Sequence, residues 1–349
     1  MNSIRNLESM LIQNININNF IIFSDTHFML NHGMSIPDGE YITSWLKLQF
    51  KLVSFIFRYA FKNEVRTVIF AGDIFEEKDR IPQPLYNKVW SFFKEYSKHL
   101  DLVLNIGNHD SPTLYKTFES SGLLPFSEFA HVVNDVTDIQ MDNTFMRVIP
   151  YGLATVESIT KPKIEKNCVL VLHEEIAGVG FGNTGYRSKR MDLPLSKLKE
   201  WSTVLDGHIH KPQQMYENIY FIGSLLPVDW SEAADKKRFF HYNNGSLKSI
   251  TIPHQQFFKL EGDLEEAKGV IEDRNDDNFY RIKIYPSQVG DDIFKRFNVS
   301  YELLKEEKRR IRIKKDLSIL DEAKSYIKEN NNNLNASLLL DIAEEIVNG

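Results

Sequence analysis

The sequence predicts an α/β protein, and three observations carry that prediction. From about residue 20 to residue 253, apolar runs alternate with amphipathic stretches. Five of the runs end in short polar signatures made of metal-ligand side chains. The later runs crowd together, which predicts a mixed core whose second half is more antiparallel.

In chain order, residues 1–19 read as an N-terminal extension with at most one short helix, and residues 20–23 as the first strand. Residues 41–61 carry Trp45, Leu48, Leu52, Phe55, Ile56 and Tyr59 at helical spacing. A strand is expected at 65–70 and a helix at 85–99, where Val89, Phe92, Phe93 and Tyr96 share a face. Strands follow at 102–106, 144–149, 169–172, 204–205, 219–222, 238–242 and 249–252. The strand–helix–strand order implies βαβ units in a unit spanning 20–254. Composition shifts near Pro253, and residues 255–316 read as a small module. It has strands at 257–260 and 278–285, a helix at 264–271, a helical stretch at 291–307 and a basic-faced strand at 309–315. Residues 317–349 predict two helices, 317–328 and 336–347, joined by the Asn-rich linker 330–335.

The chain has 349 residues, 42% of them hydrophobic and 26% charged, enough for a sizeable core. Its one cysteine, Cys168, excludes an intrachain disulfide and thiolate-rich zinc sites, so a metal must be held by His, Asp, Asn or Glu. No apolar stretch reaches the length of a membrane span and no signal-peptide pattern opens the chain, so a cytoplasmic protein is expected, in the host cytoplasm if the source is viral. The Asn, Ile and Lys bias suggests an AT-rich genome such as a bacteriophage's. The net charge of −6 gives no bulk electrostatic support for nucleic-acid binding, although bound cations and local basic patches can supply it.

The five signatures are Asp25-Thr26-His27, Gly72-Asp73, Gly107-Asn108-His109-Asp110, His173-Glu174 and Gly207-His208-Ile209-His210. Functional groups of α/β proteins collect beyond the carboxyl ends of strands, so all five point to one place. Asp25 and His27, two residues apart, share a face and can bind one ion together. Asp73 can bridge two ions, Asn108 offers a carbonyl oxygen, and His173, His208 and His210 offer imidazoles, a mixture that suits Mn²⁺ or Fe²⁺. Two such ions stabilise both the attacking and the leaving oxygen of a phosphoryl displacement. His109 is then free to donate a proton, with Asp110 as the carboxylate expected to orient it. Each signature alone has a bland reading, as a helix cap, a turn or a packed histidine. Their ordered coincidence does not.

In this order the signatures resemble those of the calcineurin-like metallophosphoesterase superfamily, over roughly residues 20–225. The resemblance implies a sandwich of two mixed β-sheets flanked by helices. A narrower likeness lies in Tyr220-Phe221-Ile222-Gly223-Ser224, Asp229-Trp230-Ser231-Glu232 and Asp235-Lys236-Lys237-Arg238-Phe239. This stretch is similar to the one after the last metal motif of SbcD-type nucleases, and the 255–316 module resembles their DNA-capping domain in place and order. What the likeness implies is a first metal on Asp25, His27, Asp73 and His210 and a second on Asp73, Asn108, His173 and His208, with His109 as the catalytic histidine. It also implies Mn²⁺, DNA as substrate, an SbcC-type coiled-coil ATPase docked on the C-terminal helices, and a homodimer within a heterotetramer. The sequence departs from the pattern at Glu76, where relatives often have Asp, at Arg238, where glycine is common, and at the acidic pair Glu174-Glu175.

Other residues are placed by context. His32 follows the first ligand pair and can face substrate, while His99, His131, His241 and His254 read as surface or core. Arg187, Lys189 and Arg190, beside a Gly-containing loop, and Arg310 and Arg312, on the basic strand, are candidate DNA contacts. Two alternatives stand beside the nuclease. One is a phosphatase or cyclic-nucleotide phosphodiesterase of the same superfamily. The other is a DNA-end-binding scaffold for an ATPase.

Overall fold

The computed structural model describes residues 15–112, 120–181, 185–189, 192–274, 276–296, 298–304 and 321. The first of two six-stranded sheets contains β1 (Asn19–Phe23), β2 (Thr67–Phe70), β3 (Asp101–Asn105), β4 (His131–Val133), β11 (Arg238–Asn243) and β12 (Ser246–Thr251). Strands β1 to β4 are parallel neighbours, and the antiparallel pair β11–β12 joins the free edge of β1. The second sheet contains β5 (Thr137–Gln140), β6 (Thr144–Val148), β7 (Asn167–Leu172), β8 (Thr203–Asp206), β9 (Gln213–Tyr216) and β10 (Ile219–Phe221). Here β6, β7, β8 and β10 run parallel, with β5 and β9 as antiparallel edges. The sandwich of two mixed sheets flanked by helices is therefore the fold observed.

Strand pleating explains why the central strands read as unbroken apolar runs. In β1, Phe20 and Ile22 face the inter-sheet core with Ile69, Val103, Met146, Val148, Val169, Val171 and Leu205. Ile21 and Phe23 face the other way, onto α1 (Ser44–Lys62) and α2 (Gln83–Ser97), meeting Trp45, Leu52, Ile56, Val89 and Phe93. Helix α1 starts at Ser44 because the Thr43 hydroxyl caps it, accepting from Leu46 N at 3.2 Å. On the outer face of the second sheet, Cys168, Leu170 and Leu172 pack with Trp201 and with Leu198 of α3 (Leu195–Leu198). Cys168 is thus a small core residue, as expected. No helix among the described residues is long and apolar enough to cross a membrane.

A third sheet follows, all parallel, from β13 (Phe257–Leu260), β14 (Phe279–Ile284) and β15 (Val299–Leu303). It packs on α4 (Leu264–Arg274) through Leu264, Ala267, Ile271, Tyr280, Ile282 and Ile284. The helical stretch expected at 291–307 is overturned. Its described part is a 3-10 turn at Asp292–Lys295 followed by β15, which pairs with β14 from Tyr280↔Val299 to Ile284↔Leu303. The side of β14 that β13 leaves open has backbone groups that need partners and takes β15, and the alternation of Val299, Tyr301 and Leu303 suits an edge strand better than a helix. Strands β4, β5 and β9 escaped the sequence reading because they have only three or four residues, and β5 and β9 are polar edge strands. The strand at 309–315, the helices at 317–328 and 336–347 and most of the 1–19 extension lie outside the described residues.

In β4, His131 is 7% exposed and neither ring nitrogen has a hydrogen-bond partner. Burial holds its pKa below the ordinary 6.5. The unfolded chain therefore takes up the proton first, and stability falls as pH drops through 6.5 toward the lowered value. His131→Leu is expected to flatten the loss of urea stability between pH 7 and pH 5. An unchanged slope would refute this origin.

Candidate metal centre

The five signatures follow β1, β2, β3, β7 and β8, and they meet. Four of the expected ligands lie in the left-handed region: Asp25 (φ 52°), His27 (φ 48°), Asp73 (φ 65°) and His208 (φ 63°). Such backbone costs of the order of 1–3 kcal/mol per residue and persists only where surroundings enforce it. Here the first two turns brace each other. Asp25 N donates to Gly72 O at 3.0 Å, and Thr26 N and His27 N both donate to Asp73 O at 3.1 Å. Gly72 and Gly107 permit the approach, since a Cβ at Gly72 (φ +118°) would collide with the His173 ring and one at Gly107 with Asp73.

Two ligand clusters result. In one, His27 Nε2 lies 3.7 Å from Asp25 Oδ1 and 3.0 Å from His210 Nε2, and His210 Nε2 lies 3.9 Å from Asp25 Oδ1. In the other, His173 Nε2 lies 3.2 Å from Asp73 Oδ2, and Asn108 Oδ1 sits 3.1 Å from His173 Nε2 and 2.8 Å from His208 Nδ1. Asp73 Oδ2 is also 3.7 Å from His27 Nε2, so this carboxylate stands between the clusters.

The donor set fits divalent cations. Both carboxylate oxygens of Asp25 are buried without a hydrogen-bond partner. His173 Nδ1 donates to Ala71 O at 2.8 Å, His210 Nδ1 faces Glu232 Oε1 at 3.1 Å, and His27 Nδ1 lies 2.7 Å from Glu76 Oε2. A proton held at Nδ1 of His173 and of His210 leaves their Nε2 lone pairs aimed inward, whereas His27 Nδ1, close as it is to Glu76, makes no well-angled hydrogen bond. Turned over, the Asn108 amide would donate to His173, His208 and Asp73. Three acceptors around one point is equally the demand a cation meets. The local field agrees. Burial opposes charge on His173, yet Asp73 outweighs it and pushes the imidazole up to about 10. Burial likewise opposes charge on His27, and Asp25, Glu76 and Asp73 raise it well above its usual value. His208 goes the other way, down to about 4, through burial and the field of His173.

His109 lies at the edge of both clusters. Its backbone N donates to Asp73 Oδ1 at 2.7 Å and its Nδ1 contacts Glu76 O at 2.6 Å. The half-buried ring lines a cleft of about 330 Å³ with Asp73, Asn108, His208, His210 and Phe181. It also comes within ligand distance of His27 and Asp73.

Asp110 does not orient His109 as expected. Its carboxylate instead accepts from Asp73 N at 2.8 Å, Ile74 N at 2.9 Å and Gly107 N at 2.9 Å. A carboxylate with three backbone donors has satisfied its acceptors, so it clamps the two turns together. His32 is not among the residues that form the clusters or line the cleft. It stacks on Trp45 with centroids 3.7 Å apart, and its Nε2 contacts Val228 O at 3.3 Å. Arg187 and Lys189 are exposed, and Arg187 Nη1 donates to Gly178 O at 2.9 Å. Arg190, Arg310 and Arg312 lie outside the described residues.

Sequence reasoning left the roles of Glu76, Glu232 and Lys237 open. Glu76 contacts His27, and Glu232 contacts His210. Lys237 is fully buried and donates to Glu232 Oε2 at 2.6 Å. The signal was present, since Glu232 and Lys237 belong to the stretch after the last metal motif that the sequence already sets apart.

The sequence profile of the calcineurin-like phosphoesterase family matches residues 19–231, and the chain belongs to that family. It is therefore a metal-dependent phosphoester hydrolase by family, with His/Asp clusters suited to divalent ions. Among viral relatives, it is 23% identical over 241 residues to an uncharacterized protein of Acanthamoeba polyphaga mimivirus, covering 64% of this chain but only 16% of that protein. A protein of Invertebrate iridescent virus 3 that bears a phosphoesterase name is 23% identical over 306 residues, 82% of this chain and 81% of its own length. Among solved structures, the chain is similar to a dimetal phosphatase from Danio rerio at 10% identity and TM-score 0.39, covering 68% of this chain and 98% of that one. It is also similar to the Pseudomonas putida nuclease MPE, at 14% identity and TM-score 0.31, covering 66% and 87%.

Removing one partner of a buried ion pair strands the other charge. Lys237→Met is thus expected to cost about 3–5 kcal/mol in urea unfolding. A loss under about 1 kcal/mol, the range of an exposed pair, would show that the pair is not buried in solution.

Proposed function

We propose that the chain is a Mn²⁺-dependent DNA nuclease, the nuclease subunit of an SbcCD-like recombination and repair complex. The observation that carries this reading is the tie of Glu232 and Lys237 onto His210. These residues lie in the stretch whose sequence resembles SbcD-type nucleases, and they act on the metal cluster itself. The phosphatase alternative is less well supported, because Ile74-Phe75-Glu76-Glu77 stands where protein phosphatases of this type usually carry Arg-Gly after the second motif.

Asp25, His27, Asp73 and His210 would hold one cation, and Asp73, Asn108, His173 and His208 the other. Together the cations would supply positive charge at the phosphate oxygens and lower the pKa of water for attack. The chain's own part is positioning and proton transfer. The Asp110 clamp fixes the Asp73 and Asn108 turns against each other. Contact with Glu76 O keeps the proton of the neutral His109 ring on Nδ1, so Nε2 must first take up a proton, such as the one the attacking water releases, before the ring can pass it to the departing sugar oxygen. Arg187 and Lys189, exposed on the nearby loop, suit phosphate contact. An SbcC-type ATPase and a second copy of the chain complete the proposed complex.

Linear, overhanging and hairpin DNA are expected to be cleaved with Mn²⁺, alone or with the ATPase. His109→Ala should lower cleavage by about 10²–10⁴-fold while calorimetry still shows Mn²⁺ binding. Turnover of small phosphoesters without any DNA cleavage would move the assignment to a phosphatase. Biological activity that survives in His109→Ala would favour a scaffold for the ATPase.

A further inference from the structure

The segment that follows the last metal motif grips His210 at two points. Glu232 Oε1 lies 3.1 Å from His210 Nδ1, and Lys237 Nζ donates to His210 O at 2.9 Å. The other carboxylate oxygen of Glu232 is held by Lys237 Nζ at 2.6 Å, Ser224 Oγ at 3.2 Å and Val228 N at 3.3 Å. Lys237 Nζ donates to Ser224 Oγ as well, at 3.0 Å. Glu232 and Lys237 are both buried.

We propose that Glu232 is a positioning residue that fixes the tautomer and ring orientation of His210, and that it thereby sets the cation affinity of the Asp25–His27–His210 cluster. A carboxylate only accepts, so contact with Glu232 places the imidazole proton on Nδ1. The Nε2 lone pair then points into the cluster, beside His27 Nε2 and Asp25 Oδ1. Lys237 is what allows a carboxylate to serve here, because it neutralises a second buried negative charge close to Asp25. A pair kept only for stability would be a weak choice, since apolar residues of similar volume often serve as well or better. The inference rests on the metal centre and holds whichever phosphoester is cleaved.

The test titrates Mn²⁺ into the metal-free full chain, with calorimetry separating two classes of site. Asp25→Asn and His173→Ala assign the classes. Glu232→Ala is expected to weaken the class that Asp25→Asn removes by about 10–100-fold and to leave the other unchanged. Glu232→Gln, which keeps an acceptor oxygen for Nδ1–H, should recover most of the loss. In ¹⁵N spectra of the metal-free protein, the His210 proton should sit on Nδ1 in the wild type and in Glu232→Gln, and should redistribute in Glu232→Ala. If Glu232→Ala does not fold, the double variant Glu232→Met, Lys237→Met removes both charges together and should show the same one-class loss. Equal losses at both classes, or unchanged affinity with an unchanged tautomer, would overturn the proposal.

Discussion

The burial of Asp73 between two groups of histidines is the constraint on which the rest of the structure depends. Its carboxylate touches His173 and approaches His27, its backbone carbonyl receives Thr26 N and His27 N, and its own N–H is taken by Asp110. One residue thus ties the turns after β1, β2 and β3 to the turn after β7. A carboxylate 1% exposed at such a point is tolerable only if positive charge accompanies it. The raised pKa values of His27 and His173 express the same demand.

That demand explains why the site is built from strained turns on a rigid frame. Left-handed backbone at Asp25, His27, Asp73 and His208 aims side chains that ordinary strand continuation would send apart. The cost is spread over the three apolar layers beneath, where the central strands bury both faces. Asp110 shows how the load is shared, since its three backbone bonds hold the turns of Gly72-Asp73 and Gly107-Asn108 at a fixed separation. A loop without such bonds would relax, and the ligand lone pairs would no longer converge.

Much of this was legible in the sequence, for identifiable reasons. Strands buried on both faces are apolar without interruption, so β1, β2, β3, β7 and β8 announce themselves, and so do the polar residues that end them. What was not legible depends on partners distant in sequence. The sequence shows Asp110 beside His109 but not that its oxygens face Asp73 and Ile74 across 36–37 positions. It shows His32 after a ligand pair but not the Trp45 ring that claims it. β15 reads as helix until the open edge of β14 is known to lie beside it.

The same distant contacts join the metal clusters to the third sheet. Trp230 packs against Phe257 of β13 at 5.2 Å and carries Arg281 of β14 over its ring at 4.9 Å. Two residues later Glu232 meets His210. Trp45, stacked on His32, packs against Phe279 at 5.8 Å and Phe257 at 6.5 Å. The aromatic seam therefore seats the third sheet on α1 on one side and on the 230–232 turn on the other. Glu232 is where the segment that carries the third sheet meets His210, whereas the supports of Asp73 and His173 come from the turns after β2, β3 and β7. The two clusters share one carboxylate but differ in what holds them. One is braced wholly within the sandwich, the other partly by a segment that also carries the third sheet.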